Sequence, residues 1–310
     1  MKALVFTHKN DIDGMGNAVL AKLAFESTEY VLCGTFELKQ KVNDYIESKK
    51  IYEFDNIFVT DLCLDLETLK FVSEDERLKD KLKVFDHHKT YLDDNYTKYP
   101  FVKVEIENSK GLCSGTSLFY EYLIENNILI ETNVVKEFAE LTRQYDTWEW
   151  KTIYNNEKAR ELTILFDALG TEGYINFMYE KLKTNTEFEF SELEKILINN
   201  KKQVINDRVN EYLSKIFYKE VLGLKAGIVF IEYEFRNELA EYLRVNNYDI
   251  DFVMMIAIDK GGVSYRSVKE NVSVRIVAEF YGGKGHEVAA TSPILKEKQE
   301  QIIDIILGDK

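Results

Sequence analysis

The sequence predicts an α/β protein in two parts, a parallel-sheet amino-terminal domain joined by a long helix to a smaller α/β domain. Three observations carry this. Short apolar runs separated by helical segments open the chain, the pattern of a parallel sheet covered on both faces. An interrupted helical stripe follows, formed by Leu193, Ile196, Leu197, Val204, Ile205, Val209, Tyr212, Leu213 and Ile216. Beyond it, strands and helices alternate again. The expected division is 1–186 for the first domain, 187–218 for the connecting helix and 219–310 for the second domain.

Bulk composition narrows the functional classes. A chain of 310 residues is long for one core and suits two domains, and its 45% hydrophobic and 30% charged residues describe an ordered globular protein. No run approaches the ~20 apolar residues that span a bilayer, and Met1 leads straight into a strand, so a cytoplasmic location is expected. Cys33, Cys63 and Cys113 are too few and too scattered for a disulfide framework or a zinc cluster, and are expected to be reduced and buried. The formal net charge of −14 argues against binding long duplex DNA, where cations must release counterions from phosphates. A short anionic substrate remains compatible if bound cations supply local positive charge.

In chain order, Ala3 to Thr7 reads as a strand running into His8, Asp11 and Asp13, with a helix from Gly14 to Phe25 starting beside the aspartates. A strand near Tyr30 to Cys33 and a helix from Leu38 to Ser48 follow. Ile57 to Thr60 runs into Asp61, and Val84-Phe85 into Asp86, His87 and His88. Helical spacing recurs from Thr116 to Asn126 and from Val134 to Tyr145, the latter delivering Asp146. Ligands of such sheets gather at the carboxyl ends of the strands, so three strand ends carrying only Asp and His converge on one cleft. After the connecting helix, strands are expected at Leu224 to Glu232, Phe252 to Ile258 and Val263 to Ser267. Helices are expected around Asn237 to Arg244 and Val272 to Tyr281, before the loop Gly282-Gly283-Lys284-Gly285-His286.

Seven candidate ligands, His8, Asp11, Asp13, Asp61, Asp86, His87 and Asp146, exceed what one ion needs. Two ions about 3.5–4 Å apart, sharing a bridging carboxylate, would account for the excess and serve metal-assisted phosphoester hydrolysis. Mixed imidazole and carboxylate donors without thiolate suit manganese and argue against a structural zinc. Taken alone, the glycine-rich loop is a tight turn with Gly282 capping the preceding helix, and Arg266 is a solvated strand arginine. Arg143 is expected to be a structural ion-pair partner, and Trp148 and Trp150 to be buried rather than stacked on a base.

Together, His8-Lys9-Asn10-Asp11-Ile12-Asp13-Gly14, Asp61, Asp86-His87-His88, Asp146 and the distal Gly282-Gly283-Lys284-Gly285-His286 resemble, in order and across both domains, the DHH/DHHA1 phosphoesterases. The wording Asp86-His87-His88-Lys89-Thr90 and Arg143-Gln144-Tyr145-Asp146-Thr147-Trp148-Glu149-Trp150 is most similar to nanoRNase B-type oligoribonucleases, which degrade very short RNAs. Two departures stand out: His8 and Asp11 are three apart where many members have four, and Lys284 and Thr291 replace usual glycines.

The resemblance implies a DHH catalytic domain and a DHHA1 substrate-binding domain. It implies one metal held by His8, Asp11 and Asp61 and a second held by Asp13, Asp61, His87 and Asp146, with Asp86 orienting its neighbours and His88 reaching the scissile phosphate. Arg266, Gly282, Gly283, Lys284, Gly285 and His286 would bind substrate, Lys284 favouring one more phosphate. The implied activity is a manganese-dependent exonuclease or phosphodiesterase turning short RNA or DNA oligonucleotides into mononucleotides, with 3′,5′-bisphosphonucleotide phosphatase as a second activity. A linear or cyclic dinucleotide phosphodiesterase is the alternative within that chemistry. A non-catalytic nucleotide-binding sensor is the alternative of another class. No membrane or long duplex DNA is expected as partner; a homodimer is compatible with the sequence.

Overall fold

The computed structural model describes residues 1–9 and 11–308. Its contacts divide the chain into two compact units, Met1–Lys201 and Lys202–Lys310. The division falls inside the expected connector.

In the first unit, β1 (Lys2–His8), α1 (Ile12–Ala24), β2 (Ser27–Cys33), α2 (Leu38–Glu47), β3 (Asn56–Thr60), α3 (Leu66–Glu74), β4 (Leu82–Asp86), α4 (Asp94–Thr97) and β5 (Val102–Val104) succeed one another. The sheet order is β2-β1-β3-β4-β5 and every pairing is parallel, as expected. Because side chains alternate along a strand, the apolar runs supply two cores at once. Ala3, Val5, Phe58 and Phe85 pack on one face with Met15 and Val19 of α1. Leu4, Phe6, Ile57, Val59 and Val84 pack on the other with Val42 of α2 and Leu69 of α3. Burial on both faces removes the polar alternation and leaves the continuous apolar runs read in the sequence.

A small hairpin, β6 (Glu107–Asn108) with β7 (Gly111–Leu112), leads into α5 (Gly115–Glu125), α6 (Asn133–Asp146), α7 (Glu149–Thr152) and α8 (Glu157–Thr184). Phe119, Phe138, Leu165 and Ile175 from α5, α6 and α8 complete the core above α1. The three cysteines are free and buried. Arg143 is buried and donates to Glu140 at 2.8 and 2.7 Å, to the Leu112 carbonyl at 2.8 Å and to the Glu149 carboxylate. It is therefore the structural partner expected. Arg143→Met strips buried Glu149 of its cation and is expected to destabilise the chain by about 3–5 kcal/mol. Urea denaturation checks this, with Arg143→Met/Glu149→Gln expected to recover part of the loss.

The helix α9 (Glu192–Leu213) is shorter than the stripe suggests and begins in one unit and ends in the other. The second unit continues with β8 (Phe217–Val221), β9 (Leu224–Phe230), α10 (Arg236–Val245), β10 (Phe252–Ala257), β11 (Gly262–Ser267), α11 (Val274–Phe280), β12 (Lys284–Gly285), β13 (Ala289–Pro293) and α12 (Lys296–Leu307). Its sheet runs β12-β13-β11-β10-β9-β8, with only β9 and β10 parallel. Val229, Val253 and Met255 pack with Leu239 and Leu243 of α10, and Phe252 and Tyr265 with Val274 and Val277 of α11. Among the described residues no helix is long and apolar enough to cross a membrane.

Candidate metal centre

Three carboxyl-terminal strand ends bring the predicted residues together. His8 ends β1, Asp86 ends β4, and Asp61 directly follows β3. Asp11 caps α1, its Oδ1 accepting the Gly14 amide at 3.0 Å while Oδ2 lies 2.7 Å from His8 Nδ1. The three-residue spacing from His8 thus still closes the pair. Gly14 is required there because a Cβ would lie 1.9 Å from the His8 carbonyl oxygen.

Asp61 occupies the left-handed region at φ 58°, which a short polar side chain tolerates better than most. Its amide donates to the Phe85 carbonyl at 2.9 Å, so the turn remains tied to β4. Its Oδ2 lies 3.7 Å from His8 Nδ1, and its Oδ1 lies 3.3 Å from His87 Nε2. The same His87 nitrogen lies 3.9 Å from Asp13 Oδ2 and 3.5 Å from Asp146 Oδ2. Three ligand-grade groups result, His8 with Asp11 and Asp61, Asp13 with His87 and Asp146, and Asp61 with Asp86, His87 and His88, and Asp61 turns one oxygen toward His8 and the other toward His87.

Asp86 is fully buried, and its Oδ1 accepts from the His87 amide at 2.8 Å, the His88 amide at 3.2 Å and His88 Nδ1 at 2.7 Å. One carboxylate therefore sets both the backbone and the ring of the histidine pair. His88 remains half exposed, its pKa pushed up by the Asp86 hydrogen bond against the opposing effect of burial.

The helix expected from Thr116 begins at Gly115, and its role at this site was not legible in the sequence. The Gly115 and Thr116 amides donate to Asp13 Oδ2 and Oδ1 at 2.6 and 2.8 Å, and the Thr116 hydroxyl donates to the Asp13 carbonyl at 2.6 Å. These three bonds fix the orientation of Asp13. A Cβ on Gly115 would lie 2.6 Å from Asp61 Cβ, so this helix end also presses directly on the central carboxylate. The only local signal was the small polar run Ser114 to Ser117, which forms a capping box.

Buried acids crowd here with only histidines as their ion-pair partners among the described residues. Burial, then the charges of Asp13, Asp11, Asp146 and Asp86, push the Asp61 pKa well up. Burial, then Asp13, Asp11 and Asp86, do the same to Asp146. Burial opposes protonation of His8, but the hydrogen bond and charge of Asp11 outweigh it and raise its pKa. Asp86 Oδ2 and Asp146 Oδ2 are buried without a hydrogen-bond donor among the described residues. Such a donor set, with orphaned oxygens and unrelieved negative charge, fits divalent cations.

A carboxyl whose pKa is raised by folding holds its proton more tightly in the folded state. That stabilisation is complete below the unfolded pKa of about 4 and is lost as pH rises through the folded value. In metal-free protein, Asp61→Asn is therefore expected to melt progressively higher than the wild type as pH rises above about 4. A pH-independent difference between the two melting curves contradicts this.

In the second unit, strand register places Arg266 opposite Ala289, with Gly285 opposite Ala290 on the far side of β13. The segment 282–286 is thus one strand removed from Arg266. Gly283 and Gly285 permit this close approach, since a Cβ would meet the Thr291 carbonyl oxygen at 2.1 Å or Ala290 Cα at 2.4 Å. Gly282 has φ 74° directly after α11, consistent with the turn expected, while Lys284 and His286 are exposed. Trp150 is buried as expected, but Trp148 is 39% exposed, because φ 65° turns the chain between α6 and α7 at that residue.

No family model matches the chain. Among solved structures, the DHH domain of a protein assigned to a family of ribosomal proteins aligns with 99% of this chain and 85% of its own, at TM-score 0.62 and 12% identity. Exonuclease RecJ bound to manganese aligns with 97% of this chain and 88% of its own, at TM-score 0.52 and 14% identity. The fold is that of the DHH proteins, carrying acidic and imidazole side chains on the carboxyl edge of its parallel sheet. Oligoribonuclease NrnB of Bacillus subtilis (strain 168) is 33% identical over 301 residues, spanning 96% of this chain and 74% of that relative. The chain belongs to the oligoribonuclease NrnB family of DHH phosphoesterases and is a hydrolytic enzyme.

Proposed function

We propose that this enzyme works in the cytoplasm on RNA or DNA oligonucleotides of a few residues, releasing mononucleotides with the help of two divalent cations, manganese foremost. The observation that carries the reading is the double presentation of Asp61, Oδ2 toward His8 and Oδ1 toward His87. His8, Asp11 and Asp61 would hold one ion, and Asp13, Asp61, His87 and Asp146 the other. Cations in such a site neutralise developing charge on phosphoryl oxygens and acidify an attacking water. The donor set, imidazole and carboxylate together, supports manganese.

The chain's own groups supply orientation and a proton donor. Because His88 Nδ1 is tied to Asp86, the ring is fixed and Nε2 is left to donate to a phosphate oxygen. The raised pKa of His88 favours the protonated form that this role needs. Asp86 is then a positioning residue acting through His87 and His88. In the second unit, Arg266 offers a guanidinium and the 282–286 segment offers close backbone amides and His286, a combination suited to an anionic group. Domains 1–186 and 219–310 would divide the work into phosphoester cleavage and nucleotide binding.

The preference for short chains is supported by the relative's description as an oligoribonuclease and by the net charge of −14, which opposes long polyanions. With manganese, end-labelled RNAs of a few residues are expected to run down to mononucleotides while long duplex DNA persists. Adenosine 3′,5′-bisphosphate is expected as a slower substrate at the same site. Faster turnover of cyclic di-AMP than of the linear oligomers contradicts the reading.

A further inference from the structure

The second unit carries an unusual pair of arginines. Six of the eight arginines in the chain, Arg77, Arg143, Arg160, Arg208, Arg244 and Arg275, form ion pairs with carboxylates. Arg236 and Arg266 form none among the described residues, although the chain holds 54 acidic residues. These two are also neighbours. Arg266 Nη2 donates to Asn237 Oδ1 at 3.2 Å, and Asn237 is the next residue after Arg236. Burial first, and then the charge of Arg236, lower the Arg266 pKa.

Arg236 is not left to wander. Its guanidinium lies 3.7 Å from the centroid of the Tyr233 ring, and Nη1 donates to the Tyr233 carbonyl at 2.7 Å. That stacking fixes a planar fork at the start of α10, where Arg266 also reaches, while no further acceptor for Arg236 is found among the described residues. Two guanidiniums gathered at the start of α10, neither in an ion pair among the described residues, match a group carrying about two negative charges and three acceptor oxygens. A terminal phosphomonoester is such a group.

We propose that Arg236 is a second phosphate-binding residue, forming with Arg266 a subsite for the terminal phosphomonoester of a short oligonucleotide. The inference rests on the substrate class proposed above and adds a specificity to it: oligomers with a terminal phosphate are preferred over those without.

The test uses the full chain with Arg236→Gln and Arg236→Lys, both first checked by thermal melting against the wild type. Calorimetry in chelator measures binding of 5′-AMP, 3′-AMP and adenosine. Arg236→Gln is expected to weaken binding of at least one nucleotide about tenfold relative to adenosine, with Arg236→Lys intermediate, and the nucleotide affected identifies which end is held. In manganese, the kcat/KM preference for pApA over ApA is expected to fall by a similar factor. Equal nucleotide binding by wild type and Arg236→Gln, or no nucleotide binding by the wild type, overturns the subsite. Failure of the wild type to cleave any short oligomer overturns the oligonucleotide reading instead, and the binding measurements still decide the role of Arg236.

Discussion

Asp61→Asn is expected to lower phosphoester hydrolysis by on the order of 10³-fold, the scale seen when a central charge-stabilising group is removed. The substitution is nearly isosteric, so it keeps the left-handed turn and the packing against Gly115 while deleting the charge. It affects two of the ligand groups at once, because Asp61 is the residue whose two oxygens face His8 and His87 separately. Steady-state rates on a short RNA in manganese measure the effect. Activity within tenfold of the wild type would remove Asp61 from the centre of the mechanism.

Metal removal gives the second large effect. Without cations, buried carboxylates repel one another around Asp61, and Asp86 and Asp146 each keep an oxygen without a donor. Chelation is therefore expected to abolish turnover and to lower the melting temperature of the first unit. An ion binding the native state alone contributes about 2.7 kcal/mol at a hundredfold excess over its Kd. For a unit of about 200 residues this corresponds to roughly 5–10 °C. Differential scanning calorimetry with and without manganese measures it, and Asp61→Asn is expected to show a smaller rise. Identical melting with and without manganese contradicts the assignment.

Much of this was legible because burial on both sheet faces leaves continuous apolar runs, each ending in the side chain that matters: β1 in His8, β3 before Asp61, β4 in Asp86. The α6 stripe likewise pointed to Asp146. What escaped was structure whose cause lies elsewhere in the chain. The α8 segment gave no single stripe because Gly170, at φ 67° and ψ 172°, breaks the helical phase between Leu165 and Tyr174. The edge strand β8 is mostly exposed and so lacks apolar alternation, and its first two residues, Phe217 and Tyr218, were assigned to the connecting helix. Asp13 is held by amides 102 and 103 residues away, a pairing that no local pattern announces. Arg236 carried no sequence signal at all, since only the fold brings the start of α10 to Arg266.

The most direct measurement is the manganese content of the purified chain after equilibrium dialysis, for the wild type and Asp61→Ala. Two ions per wild-type chain, falling to one or none in the variant, is the result that a shared carboxylate between two ligand groups predicts. No bound manganese in the wild type, or two ions retained by Asp61→Ala, would contradict it.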